Sequence, residues 1–144
     1  MTSKGFILPI EARWWKRFCD RNRESKTLHA YIRRGSVGPK DARLILFYVT
    51  SPFKEIRGFG EFVDRISGDA DELWRNHGSE TCLRSYEEFK NLMDGRRKAT
   101  FILFKNLHEL SKPVSFETIS KKLGIRRMSR MGKYITREES LGLI

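Results

Sequence analysis

The sequence predicts an α+β fold: a mixed or antiparallel curved sheet, or small open barrel, of five to six strands with peripheral helices. Three observations carry that expectation. Two continuous apolar runs, at 43–50 and 98–107, are bounded by turn signals and read as strands buried on both faces. Helical patterns are present but do not alternate one-to-one with strands, which argues against a doubly wound nucleotide-binding sheet. The chain has 144 residues, 39% of them hydrophobic, enough to bury a core without disulfides or metals.

Taken in order, residues 5–10 read as a short strand ending at Pro9. Residues 11–22 read as a helix, with Trp14, Trp15, Phe18 and Cys19 forming a broad apolar stripe. Residues 27–34 have β-rich content, and 35–39 are a turn. The strand at 43–50 is broken by Ser51 and Pro52. Residues 56–66 alternate, with Ile56, Phe62 and Ile66 on one parity beside Gly58 and Gly60, glycines that suggest a bulge or a close approach. Asp69 with Glu72, and Ser85 with Glu88, have the look of helix starts, stopped by Gly78 and Gly95. The strand at 98–107 follows. Ser115 then caps a helix carrying Phe116, Ile119 and Leu123, closed by Gly124. Residues 125–144 form a basic C-terminal segment packed on a single domain spanning 1–144, with Tyr134 and Ile135 as its anchors.

Charge is the strongest compositional fact. Lys and Arg number 29 against 18 Asp and Glu, a formal net charge of +11, a balance that attracts polyanions. Basic residues dominate from Arg13 to Arg34 and again from Lys112 to Arg137, while the stretch from Glu55 to Asp94 is net acidic. Two basic blocks around an acidic centre are expected to form one positive face. Two cysteines, Cys19 and Cys82, are too few for a disulfide framework or a cysteine zinc site. His29, His77 and His108 have no metal-ligand spacing, so neither metal nor cofactor is expected. No apolar run reaches the roughly 20 residues of a membrane span, and a cytoplasmic protein without a signal peptide is the expectation.

The run from Leu44 to Pro52, LILFYVTSP, followed by Ile56 to Glu61, IRGFGE, resembles the PUA-like superfamily in its ASCH and EVE branches. There a hydrophobic strand ending in Ser or Asn precedes a glycine-rich strand ending in Gly-x-Gly/Ala-Glu. Thr81 to Phe89, Gly95 to Ala99 and Met131 to Glu139 resemble the small archaeal family called domain of unknown function 365. The resemblance implies a pseudo-barrel with a cleft for nucleic acid, in some members one that holds a modified base.

A single-stranded base needs an apolar wall to stack on and polar groups for its edge, and its phosphates need Lys or Arg. On that chemistry and the resemblance together, the nucleic-acid-binding candidates are Trp14, Trp15, Lys26, Arg33, Thr50, Ser51, Arg126, Arg127 and Tyr134, with RNA expected over DNA. The competing reading of Trp14 and Trp15 is a buried helix face; that of Thr50 and Ser51 is a plain turn. Tyr31 and Tyr48 stand near the basic blocks, and Tyr48 reads as core.

The ASCH resemblance also implies an enzymatic alternative: a small amidohydrolase or ribonuclease using Lys26, Thr27 and Glu61 as base, nucleophile and proton shuttle. His29 and Tyr31 stand where that branch has Thr and Arg. A second alternative is a DNA-binding regulator whose recognition helix would run through residues 126–132, behind the helix at Ser115.

Overall fold

A computed structural model describes residues 4–35 and 37–144. Among them six strands form one sheet: β1 (Gly5–Ile10), β2 (Leu28–Arg34), β3 (Leu44–Val49), β4 (Glu55–Asp69), β5 (Lys98–Ser115) and β6 (Lys133–Ile135). The spatial order is β2-β5-β4-β3-β1-β6; β1 and β3 run parallel and the other neighbours antiparallel. Five α-helices surround it: α1 (Ala12–Arg23), α2 (Ala70–His77), α3 (Tyr86–Met93), α4 (Phe116–Leu123) and α5 (Arg137–Leu143). The mixed α+β sheet with peripheral helices is the architecture the sequence predicts.

The sheet curls around α1. Phe6, Leu8 and Ile10 of β1, Ile45, Phe47 and Val49 of β3, and Ile102 and Phe104 of β5 form the inner layer, against which Trp14, Trp15, Phe18 and Cys19 of α1 pack. Outside, α2 and α3 cover Ala30, Ile32, Phe101 and Leu103. On another part of the outer face, Ile119 of α4 and Leu143 of α5 meet Ile7, Leu46, Tyr48 and Ile56. Both faces of β3 and of the first half of β5 are therefore covered, which is why those runs are continuously apolar rather than alternating.

The helix ends obey local chemistry. Asp69, Ser85 and Ser115 each accept a hydrogen bond from the backbone N–H three residues on. Thr136 and Glu139 form a reciprocal capping box. Gly124 closes α4 with φ +67°, a left-handed conformation that favours glycine.

The structure departs from the sequence expectation in three places. The strand expected to stop at residue 107 continues as β5 to Ser115, because its second half pairs with the start of β4 rather than with β2. The basic C-terminal segment holds a strand and a helix: β6 pairs with β1, and Ile135 is buried. Ile56, Phe62 and Ile66 share a parity but enter three different clusters. Register shifts at Ile56/Gly58, Phe59/Glu61 and Phe62/Asp64 turn the strand between them, since a one-residue slip sends side chains to the opposite face.

Gly58 sits at one of those shifts. A side chain there would run into the Trp15 ring and the His108 carbonyl. Gly58→Val should therefore lower the unfolding free energy by about 1–3 kcal/mol, the cost of overpacking. Gly68→Ala, at a position with open space around it, should stay near wild type. Urea denaturation of the two variants measures the difference.

Candidate functional site

Among the described residues the curled sheet does not close by strand pairing. β2 is an edge strand, tied by side-chain hydrogen bonds to β1 and to the segment before β6. The Tyr31 hydroxyl donates to the Pro9 carbonyl at 3.4 Å, and the Arg33 guanidinium donates to the Arg130 carbonyl at 3.0 Å. Two cavities flank this seam.

The first, about 170 Å³, runs along the free edge of β2. Five consecutive residues, 30–34, line it together with Trp14 and Phe18 of α1 and residues 81–83. Backbone groups on an edge strand that point away from the neighbouring strand are not used by the ladder and remain available to a ligand. Arg17 fixes the opposite wall. Its guanidinium forms a bidentate pair with Glu88, at 2.7 and 3.0 Å, and also donates to the Cys82 carbonyl. The Glu88 hydrogen bond holds Arg17 above its usual pKa, and Arg17 holds the Glu88 carboxyl below its own.

The second cavity, about 240 Å³, opens at the seam itself. Pro9 and Ile10 of β1, Tyr48 and Thr50, and residues 128–130 form its walls. Glu11, Tyr31 and Arg33 border both cavities. Burial pushes the Tyr31 hydroxyl up to about 12, so it stays protonated and serves as a donor. Burial likewise pushes the Cys82 thiol up to about 12, so it is a neutral wall group and not a thiolate nucleophile. Next to Tyr31 on the strand, His29 is fully buried between Phe18 and Phe104 and accepts from Arg21 at Nδ1. Burial, with Arg21 beside it, lowers His29 to about 4 and keeps the ring neutral.

Cations outnumber anions at the rim. Arg33, Arg34 and Arg130 border the cavities and make no ion pair among the described residues. The one carboxylate bordering both cavities, Glu11, pairs with Arg13 at 3.1 Å where both groups are largely exposed. Cavities that mix apolar side chains with polar groups, with unpaired arginines at their mouths, suit a ligand that has a flat face at one end and is anionic at the other.

The structure brings together Trp14, Arg33 and Thr50 from the residues the sequence singled out. Trp14 is not an open stacking platform, because the guanidinium groups of Arg13 and Arg17 lie over its ring at 4.2 and 4.9 Å. Trp15 belongs to the core, packed on Phe47. Lys26 is exposed in the turn after α1, and Ser51 is exposed beyond Thr50, neither bordering these two cavities. Arg126 and Arg127 are exposed just before Met128, where the second cavity's wall begins. Tyr134 lies on Phe6 and its hydroxyl accepts from the Lys40 N–H, a structural role.

Tyr31, noted in the sequence only as an aromatic near a basic block, joins the site with Glu11, Arg34 and Arg130, which the sequence did not pick. Alternation along β2 could have flagged Tyr31, since it and Arg33 share a face. Nothing in the sequence places Glu11 or Arg130 beside them.

Lys26 and Thr27 lead into β2, and Glu61 lies on β4, with β5 between the two strands. Leu28 and Glu61 both lie opposite Lys105, on either side of β5. Thr27 is thus about two ladder spacings, roughly 10 Å, from Glu61. Glu61 accepts from Asn106 and lines a separate cavity with Arg43, His108 and Arg137. Residues 126–132 form no helix, so the recognition element expected behind α4 is not there. Among the described residues no group of three or more His, Cys, Asp or Glu could hold a metal. Among the same residues no helix is long and apolar enough to cross a membrane.

Glu88 supports the wall that carries Cys82, and its stability contribution depends on pH. Its carboxyl is lowered in the folded state, so the contribution is complete above the unfolded value near 4.3 and disappears as pH falls through the lower folded value. Glu88→Gln should cost about 1–2 kcal/mol at pH 7. The difference from wild type should shrink below about pH 4. Thermal or urea unfolding from pH 3 to 7 checks both statements.

No family model matches the chain, and no curated protein matches it. Solved structures do. The crystal structure of ASCH from Zymomonas mobilis superposes with a TM-score of 0.78 at 21% identity, over 96% of this chain and 92% of that one. A serine-to-alanine mutant of the same protein gives 0.78 at 21% identity, over 96% and 93%. A tyrosine-to-phenylalanine mutant gives 0.76 at 20% identity, over 96% and 95%. At this level of identity the likeness shows the architecture: the chain has a PUA-like fold, and its structural neighbours are ASCH-domain proteins.

Proposed function

We propose that this protein binds single-stranded nucleic acid, RNA in preference to DNA, in the cleft between α1, the free edge of β2 and residues 128–130. The single observation that carries the reading is the seam of the sheet. Two cavities with apolar side chains in their walls share Glu11, Tyr31 and Arg33 there and are bordered by Arg33, Arg34 and Arg130, in a chain of net charge +11. Bases enter the cavities, and the unused backbone groups of β2 with the Tyr31 and Thr50 hydroxyls meet their polar edges. Arg33, Arg34 and Arg130 hold phosphates, and the exposed Arg126 and Arg127 extend that track. The PUA-like fold supports a base-accepting cleft by analogy. The motifs at Thr81 to Phe89 and Met131 to Glu139 support the finer likeness to the archaeal domain of unknown function 365 family.

Fluorescent single-stranded RNA, single-stranded DNA and duplex DNA, titrated across a salt series, test this reading. RNA should bind tightest. Arg33→Ala and Arg130→Ala should each weaken it and flatten the log–log salt slope by about 0.7, one phosphate contact on a single strand. Lys121→Ala, which removes a partner of Glu117 on α4, should leave binding unchanged. Equal, weak binding to all three ligands that ignores Arg33 and Arg130 would contradict the assignment.

A further inference from the structure

The cleft has two lobes divided by a ridge, and the composition of that ridge specifies more than a generic groove. Each lobe alone, about 170 and about 240 Å³, falls short of the roughly 300–1,000 Å³ of an ordinary ligand pocket, and the two joined reach it. Their walls differ. The first has Trp14, Phe18, Leu83 and Leu92 along the β2 edge; the second has Ile10, Tyr48 and Met128 with the hydroxyl groups of Thr50 and Ser129.

Only Glu11, Tyr31 and Arg33 belong to both lobes. The ridge therefore offers one cation, one anion and one hydroxyl at the point where any ligand filling both lobes must cross. Arg33 donates once, to the Arg130 carbonyl. That bond aims the guanidinium, and its remaining donors are left for an oxyanion. Tyr31, tied to the Pro9 carbonyl, is the partition between the lobes.

Glu11 is the unexpected member. A carboxylate in a phosphate-binding groove weakens anion binding unless it meets a donor. It precedes α1 as the N-cap residue, yet its side chain makes no capping hydrogen bond. Its partner is Arg13, in an exposed pair of the kind that contributes little and exchanges readily. A carboxylate beside an arginine matches a ribose hydroxyl beside a phosphate, because the 2′-hydroxyl is a donor that DNA lacks.

We propose that the cleft takes two consecutive ribonucleotides, one base in each lobe, with the linking unit on the ridge: the phosphate on Arg33 and a ribose 2′-hydroxyl donating to Glu11. This footprint rests on the nucleic-acid reading and deepens it. Glu11 is then the residue that separates RNA from DNA.

The test uses the full chain and fluorescein-labelled mixed-sequence oligomers of one to four nucleotides, as ribose and deoxyribose series. Affinity should step up sharply from one to two nucleotides and rise only gradually beyond. The ribo series should bind about tenfold tighter at two nucleotides, the scale of one charge-assisted hydrogen bond. Glu11→Ala should bring the ribo/deoxy ratio close to one, chiefly by tightening DNA and weakening RNA, and Glu11→Gln should fall between. Glu11 is exposed, and an unchanged melting temperature confirms folding. Leu83→Trp and Thr50→Trp, each filling one lobe, should lower dinucleotide affinity to the mononucleotide level. Affinity that grows evenly with length, or a ribo/deoxy ratio that survives Glu11→Ala while Arg33→Ala still weakens binding, would overturn the footprint and leave the nucleic-acid reading standing. Binding indifferent to Arg33 and Arg130 at every length would overturn both.

Discussion

Everything at the candidate site depends on a strand that lacks a second neighbour. β2 pairs with β5 on one side, and the sheet curls until its other end stands opposite, but among the described residues no ladder forms across the gap. Closing that gap with backbone hydrogen bonds would remove the edge altogether, as in a true barrel. Two side-chain bonds bridge it instead, Tyr31 to Pro9 and Arg33 to Arg130. The gap is held at a fixed width without being filled. Tyr31 and Arg33, whose side chains make these bonds, border both cavities, so the fold's unfinished closure and its candidate binding cleft are one feature.

Holding such a gap needs a rigid surround. The bulges of β4 let one strand serve three apolar clusters in turn, and they bend the sheet enough to bring its ends together. Gly58 admits the Trp15 ring against the strand, which seats α1 inside the curve. Arg17, on the same helix, reaches Glu88 and the Cys82 carbonyl and fixes the outer wall of the first lobe. One short helix thus links the core, the wall and the mouth of the cleft.

Much of the fold was legible because period and punctuation are local. The apolar stripe of α1, the doubly buried run of β3 and the caps at Asp69, Ser85 and Ser115 all follow from residues within a few positions of each other. The length of β5 was not legible, since Asn106 to Ser115 is mostly polar and becomes a strand only through β4. The site was legible in part. Arg33 and Thr50 could be picked from charge and strand ends, but the pairing of Arg33 with Arg130 spans 97 residues and leaves no trace in either neighbourhood. Trp15 misled because an aromatic on a broad helical stripe reads the same whether it meets a ligand or a core. Lys26, Thr27 and Glu61 form a set only through the resemblance, because the strands they lead into or lie on have β5 between them, a neighbourhood no local pattern encodes.

The central claim is that nucleic acid occupies the seam and not merely the basic surface at large. Photocrosslinking of single-stranded RNA carrying 4-thiouridine, followed by peptide mapping, tests it most directly. Crosslinks are expected in the β2 peptide containing Tyr31, in residues 81–83 and in the Tyr48 to Thr50 segment, all lost with Arg33→Ala. Crosslinks confined to α4, to the Lys105 to Lys112 half of β5, or scattered over both basic blocks would contradict it.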